Sequence, residues 1–131
     1  MRVLIVEDEW LIAMDLAETV RQAGHDVAGI AAEPDEALAA AQEHKPDLVL
    51  MDLRLSNGTS GADAARRLWD DARLRCIFVS ANLDVATLES LKVLHPLGFV
   101  AKPILPARLR QAMGVAEIEL AASASTAAAT A

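Results

Sequence analysis

The run Asp47-Leu48-Val49-Leu50-Met51-Asp52 decides how the rest of the chain is read. Four consecutive apolar residues stop abruptly at an acid. Unbroken rather than alternating hydrophobicity marks a strand covered on both faces, as in a parallel sheet. Outward from it, Val3-Leu4-Ile5-Val6, Cys76-Ile77-Phe78-Val79 and Phe99-Val100-Ala101 repeat the pattern, and Val27 to Ala31 is a weaker fifth run suited to an edge. Stretches of helical period lie between them. Leu11, Met14, Leu16, Ala17 and Val20 predict a helix from about Leu11 to Ala23. An Ala-rich helix is expected over Asp35–Glu43 with Pro34 at its first turn, and others near Gly61–Asp70, Asp84–Leu94 and Pro106–Leu120. Gly24 and Gly98 follow helices, where left-handed caps are common. The alternation predicts an α/β domain of (βα)₅ type over residues 1–120, a doubly wound parallel sheet with right-handed crossovers and helices on both faces. Residues 121–131 contain only Ala, Ser and Thr. Nothing there demands burial, and a disordered tail is expected, with no second domain.

Bulk properties narrow the function. The chain has 131 residues, enough for one ordinary core. A formal net charge of -7 argues against a nucleic-acid binder, which needs clustered Lys and Arg on phosphates. The single Cys76 lies in an apolar run and reads as a buried, inert thiol. No apolar stretch approaches the ~18 residues of a membrane span, and the first one meets Glu7 and Asp8 at once, unlike a signal peptide. A cytoplasmic protein is expected.

Ligands of open α/β sheets bind beyond the carboxyl ends of the strands. The first polar residues after the apolar runs are Glu7-Asp8, Asp52, Ser80 and Lys102. Each alone has a plain explanation as a helix cap or a solvated charge. Together they place three carboxylates, a hydroxyl and an ammonium at one sheet edge. Neighbouring acids repel by roughly 1 kcal/mol or more per pair even when well screened. A cation relieves that repulsion, and an all-oxygen donor set suits Mg²⁺.

Four short motifs, each at a strand end, carry a resemblance over roughly residues 1–115. They are V-E-D-E (Val6–Glu9), D-L-V-L-M-D (Asp47–Asp52), F-V-S-A (Phe78–Ala81) and G-F-V-A-K-P (Gly98–Pro103). In this order the chain resembles the response-regulator receiver domains of two-component signalling. The resemblance implies a flavodoxin-like sheet of order 2-1-3-4-5. It implies that Asp52 is the phosphoacceptor, attacking a phosphoryl group held on a histidine kinase or phosphotransfer protein. Asp8 matches the direct Mg²⁺ ligand, Glu7 a ligand acting mainly through water, and the Arg54 backbone carbonyl the third protein ligand beside Asp52. Ser80 matches the hydroxyl that swings toward the phosphoryl oxygens, Lys102 the lysine that pairs with the acceptor, and Phe99 the aromatic switch. Lys102-Pro103 matches a bond that is usually cis in the family. Output is expected through a downstream protein docking on the face of helix 4, strand 5 and helix 5, with homodimerisation left open.

The chain departs from the family pattern in places. The loop L-R-L-S-N-G-T-S-G after Asp52 lacks a common proline and is one residue longer, with Gly58 and Gly61 supplying backbone freedom. Its G-T-S-G run resembles receivers of general-stress regulators. Arg54 and Asn82 border the reacting group, so an altered lifetime of the phosphorylated state is expected. Phe99 replaces the more usual tyrosine. Trp10 and Trp69 read as helix-packing residues, and His25, His44 and His95 as structural or solvated. Two other classes fit the sequence less well. A metal-dependent phosphatase would want an acid two residues after its nucleophile, where Arg54 stands. A flavin-binding module would want a phosphate loop where Glu7-Asp8-Glu9 stands, and ring-stacking aromatics in a chain without Tyr. The expectation is a switch with slow self-dephosphorylation rather than an enzyme.

Overall fold

A computed structural model describes residues 1–55 and 60–130, with side chains of the last helix to Ser125. The five apolar runs form strands β1 (Arg2–Val6), β2 (Asp26–Ala31), β3 (Leu48–Asp52), β4 (Cys76–Ser80) and β5 (Gly98–Ala101). All pair in parallel, in the order β2-β1-β3-β4-β5. The weakest run is indeed an edge strand. Its pairing with β1 carries a bulge at Val3/Leu4, where Leu4 faces Gly29 and Ala28 is passed over.

Helices α1 (Trp10–Gln22), α2 (Pro34–His44), α3 (Gly61–Ala72), α4 (Val85–Leu91) and α5 (Pro106–Thr130) complete the alternation. Alternate residues of the strands feed two cores. Leu4, Val6, Val49, Met51 and Phe78 pack under α2, α3 and Leu91 on one face. Val3, Ile5, Leu50, Ile77 and Val79 pack under α1 and α5 on the other. β3 and β4 are buried at every position, as their unbroken hydrophobicity requires. Cys76 is buried, and burial pushes its thiol up to about 12. Pro34 opens α2, and Gly24 has the left-handed φ of +89°.

Four local expectations need correction. Trp10 does not pack: it starts α1, 67% exposed, because the apolar stripe of that helix turns inward only from Ala13. Trp69 does pack, lying against His95 with ring centroids 4.5 Å apart. The fourth helix is α4 plus a 3₁₀ turn, Lys92–Leu94. His95, at φ 54°, takes the left-handed cap expected of Gly98, which instead begins β5. Finally, α5 runs through the segment expected to be a disordered tail, as far as Thr130. Alanine is the best helix former, and a helix already nucleated on the core can propagate along it. Arg75 reaches this extension, donating to Ser123 Oγ at 3.5 Å as well as to Glu119 Oε1 at 3.1 Å just before it. No helix among the described residues is long and apolar enough to cross a membrane.

Candidate functional site

β1 and β3 are neighbours, so their first polar residues emerge side by side. Carboxylate oxygens of Glu7, Asp8 and Asp52 all lie within 4.8 Å of one another. Lys102 follows β5 at the far edge and reaches back across the sheet. Its Nζ donates to Asp52 Oδ2 at 3.1 Å and to Glu7 Oε2 at 3.2 Å. The Lys102–Pro103 peptide is cis.

The surroundings set the charges. The Glu7 side chain is fully buried and that of Asp52 is 4% exposed. Burial pushes the Glu7 carboxyl up to about 7; the Asp52 charge adds to this, while the Glu9 N–H and Lys102 oppose it. For Lys102, burial is the largest single influence and pulls its ammonium down, but Asp52 and Glu7 together outweigh it and leave it raised. The pocket therefore holds more negative charge than its one ammonium balances. Its three hard oxygen donors fit a small divalent cation.

Backbone placement of Asp52 depends on the start of α3. Arg54 N–H donates to Asp52 Oδ1 at 3.1 Å, and Gly61 N–H donates to the Leu53 carbonyl at 3.1 Å. A Cβ at Gly61 would overlap the Asp52 carbonyl oxygen and lie 2.8 Å from both Asp52 C and Leu53 Cα. The sequence suggested backbone freedom at Gly61; the structure shows absence of a side chain is what matters. Ser56–Thr59, including the Gly58 of the expected longer loop, lie outside the described residues.

Ser80 ends β4 beside this group, buried, but its hydroxyl is engaged elsewhere. It accepts from the Asn82 N–H at 3.1 Å and donates to the Asn82 carbonyl at 3.3 Å. Sequence reading did not foresee this turn; the short Ser-x-Asn spacing is its only sign. Arg54, Ser80, Asn82, Thr87 and Ser90 line an adjacent cavity of about 220 Å³. Phe99 is half-buried and stacks on Phe78, centroids 5.9 Å apart.

A five-stranded parallel sheet with acids from its two central strand ends, met by a lysine from its edge, defines a class of doubly wound domain whose chemistry sits at the switch in strand order. Within that class the chain belongs to the response regulator receiver domain family of two-component signalling, matched over residues 3–114. It is 39% identical over 108 residues to the phyllosphere-induced regulator PhyR of Methylorubrum extorquens, covering 82% of this chain and 40% of PhyR. It is 33% identical over 114 residues to the chemotaxis protein CheY of Thermotoga maritima, covering 86% of this chain and 93% of CheY. The crystal structure of the anti-anti-sigma factor PhyR from Bartonella quintana superposes with a TM-score of 0.79 at 35% identity, covering 97% of this chain and 51% of that one. The chain thus spans about half the length of these PhyR relatives or less.

Proposed function

We propose that Asp52 accepts a phosphoryl group from a phosphohistidine of a kinase or phosphotransfer protein, and that the domain is a switch rather than a turnover enzyme. The observation that carries this is the Lys102 ammonium bridging Asp52 and Glu7 within the acidic trio. An Asp52 carboxylate oxygen attacks phosphorus, the new O–P bond forms, and the N–P bond breaks with its electron pair returning to the imidazole. Transfer of this kind needs little covalent help from the protein and much placement and positive charge. Glu7, Asp8, Asp52 and the Arg54 carbonyl would hold Mg²⁺, which supplies charge to the phosphoryl oxygens. Lys102 supplies a second positive charge and shifts its bond from the carboxylate to the phosphoryl group.

Water attacking the acyl phosphate later releases inorganic phosphate and restores the carboxylate, so the switch resets slowly. Ser80 leaves the Asn82 turn for the phosphoryl oxygens, and Phe99 follows into the space it vacates. The α4–β5–α5 face then changes its affinity for a downstream protein. Protein contact as output is supported by the description of the Bartonella PhyR as an anti-anti-sigma factor. The test is incubation with a small acyl-phosphate donor and Mg²⁺, read by intact mass. A phosphate adduct in wild type, absent from Asp52→Asn and from a magnesium-free control, is expected; no adduct in wild type would end the proposal.

A further inference from the structure

A cavity of about 570 Å³ lies between helix α1 and the segment joining β5 to α5. Small-molecule sites occupy about 300–1,000 Å³. One wall is α1, where Ile12, Leu16 and Thr19 recur at helical spacing on one face. Asp15, Glu18 and Gln22 form a second, exposed row along the rim. The opposite wall is Pro103, Ile104 and Pro106. Of the residues around the acidic trio, Lys102 alone also lines this cavity.

The lining has acceptors to spare and few donors. Lys102 Nζ is turned to Asp52 at 3.1 Å and to Glu7 at 3.2 Å. Thr19 Oγ1 donates to the Asp15 carbonyl and Gln22 Nε2 to Glu18 Oε1, both at 3.1 Å. Pro103 and Pro106 have no N–H. Asp15 and Glu18, by contrast, pair with no cation of the chain among the described residues. An occupant must therefore bring positive charge and N–H donors at one end. At the other it needs an apolar body to lie on Ile12, Leu16 and Ile104. The walls carry no aromatic ring, so a quaternary ammonium would find no cage for its methyl groups. An ammonium that keeps its N–H groups finds two carboxylates.

We infer that this cavity binds a small amphipathic organic ammonium, held by the carboxylates of Asp15 and Glu18 with its apolar body between α1 and the β5–α5 segment. Binding there does not depend on phosphorylation of Asp52. Ion pairs at an exposed rim are individually weak, and a compact probe should bind with a Kd of about 0.1–1 mM.

Titration of phenylbutylammonium into the isotope-labelled 131-residue chain, followed by amide chemical shifts, tests the inference. Shifts should gather at Ile12, Leu16, Thr19 and Ile104 and saturate. At the same concentration phenylbutyrate, of opposite charge, and methylammonium, with no apolar body, should leave those amides unmoved. The N-trimethyl form of the probe should bind at least about threefold more weakly. Asp15→Asn and Glu18→Gln, both at exposed positions, should each weaken binding about threefold and the double variant about tenfold. No shift up to about 10 mM amine, well above the expected Kd, overturns the inference. So does equal binding of the amine and the carboxylate, or an affinity untouched in the double variant. Shifts gathered instead at Glu7, Asp8 and Asp52 would place the amine in the acidic trio and overturn it too.

Discussion

Replacing Gly61 by alanine should disturb Asp52, the proposed acceptor, without touching a charged group. The added Cβ would fall onto the Asp52 carbonyl oxygen and lie 2.8 Å from Asp52 C and Leu53 Cα. Ordinary contact begins at 3.4 Å, so that backbone must recede by at least 3.4 − 2.8 = 0.6 Å. Overpacking against backbone costs about 1–3 kcal/mol. The intrinsic helix preference for alanine returns at most about 1 kcal/mol, and less at the first helical position. The clash wins, and the net loss of ~1–2 kcal/mol lowers the melting temperature by roughly 3–10 °C for a domain of this size. Placement suffers more than stability. A misplacement of 1 Å can cost about 10²-fold in rate, so phosphorylation of Gly61→Ala by a small acyl-phosphate donor should slow about tenfold or more. The assay is initial rate by intact mass, beside a thermal melt. An unchanged rate and an unchanged melting temperature together would refute the reasoning.

Other perturbations probe the pocket. The Glu7 carboxyl is raised to about 7 from an ordinary 4.5, so the folded state holds a proton that the unfolded state has released. Stability from this group therefore falls as pH rises through that window and is constant above it. The melting-temperature gap between Glu7→Gln and wild type should widen from pH 4.5 to 7; a flat gap contradicts the burial argument. Mg²⁺ should raise the melting temperature, since tenfold excess over Kd adds about 1.4 kcal/mol. That gain should shrink in Asp8→Asn and at pH 5, and equal gains in all three cases would count against the ligand set. Arg54 lines the cavity beside Ser80 and Asn82, and we expect it to hold phosphoryl oxygens. Loss of about 1 kcal/mol in Arg54→Ala should make phospho-Asp52 decay about fivefold faster, and an identical time course would remove that role.

The strands were legible because β3 and β4, buried on both faces, leave no room for polar residues before Asp52 and Ser80. Those same boundaries exposed the site, since a parallel sheet delivers every strand end to one edge. What stayed hidden was set by spatial neighbours rather than by period. Trp10 reads as a helix-packing residue, but it precedes the first inward turn of α1. The Ser80 hydroxyl is captured by the Asn82 peptide, a local bond that no hydrophobic pattern signals. The tight approach of Gly61 to Asp52 joins residues nine apart through a loop. The sequence pattern ends helix α5 at Leu120 because the residues beyond have nothing to bury, whereas backbone propensity and the Arg75–Ser123 bond carry it further.

The central claim is that one particular carboxylate, Asp52, carries the phosphoryl group. Treating the phosphorylated chain with borohydride reduces an acyl phosphate to the alcohol, and peptide mapping then locates the modified residue. The account predicts homoserine at position 52 and at no other acid, and no product from chain incubated without the donor. Reduction at Asp8 or Glu7 instead, or an adduct that resists borohydride altogether, would contradict it.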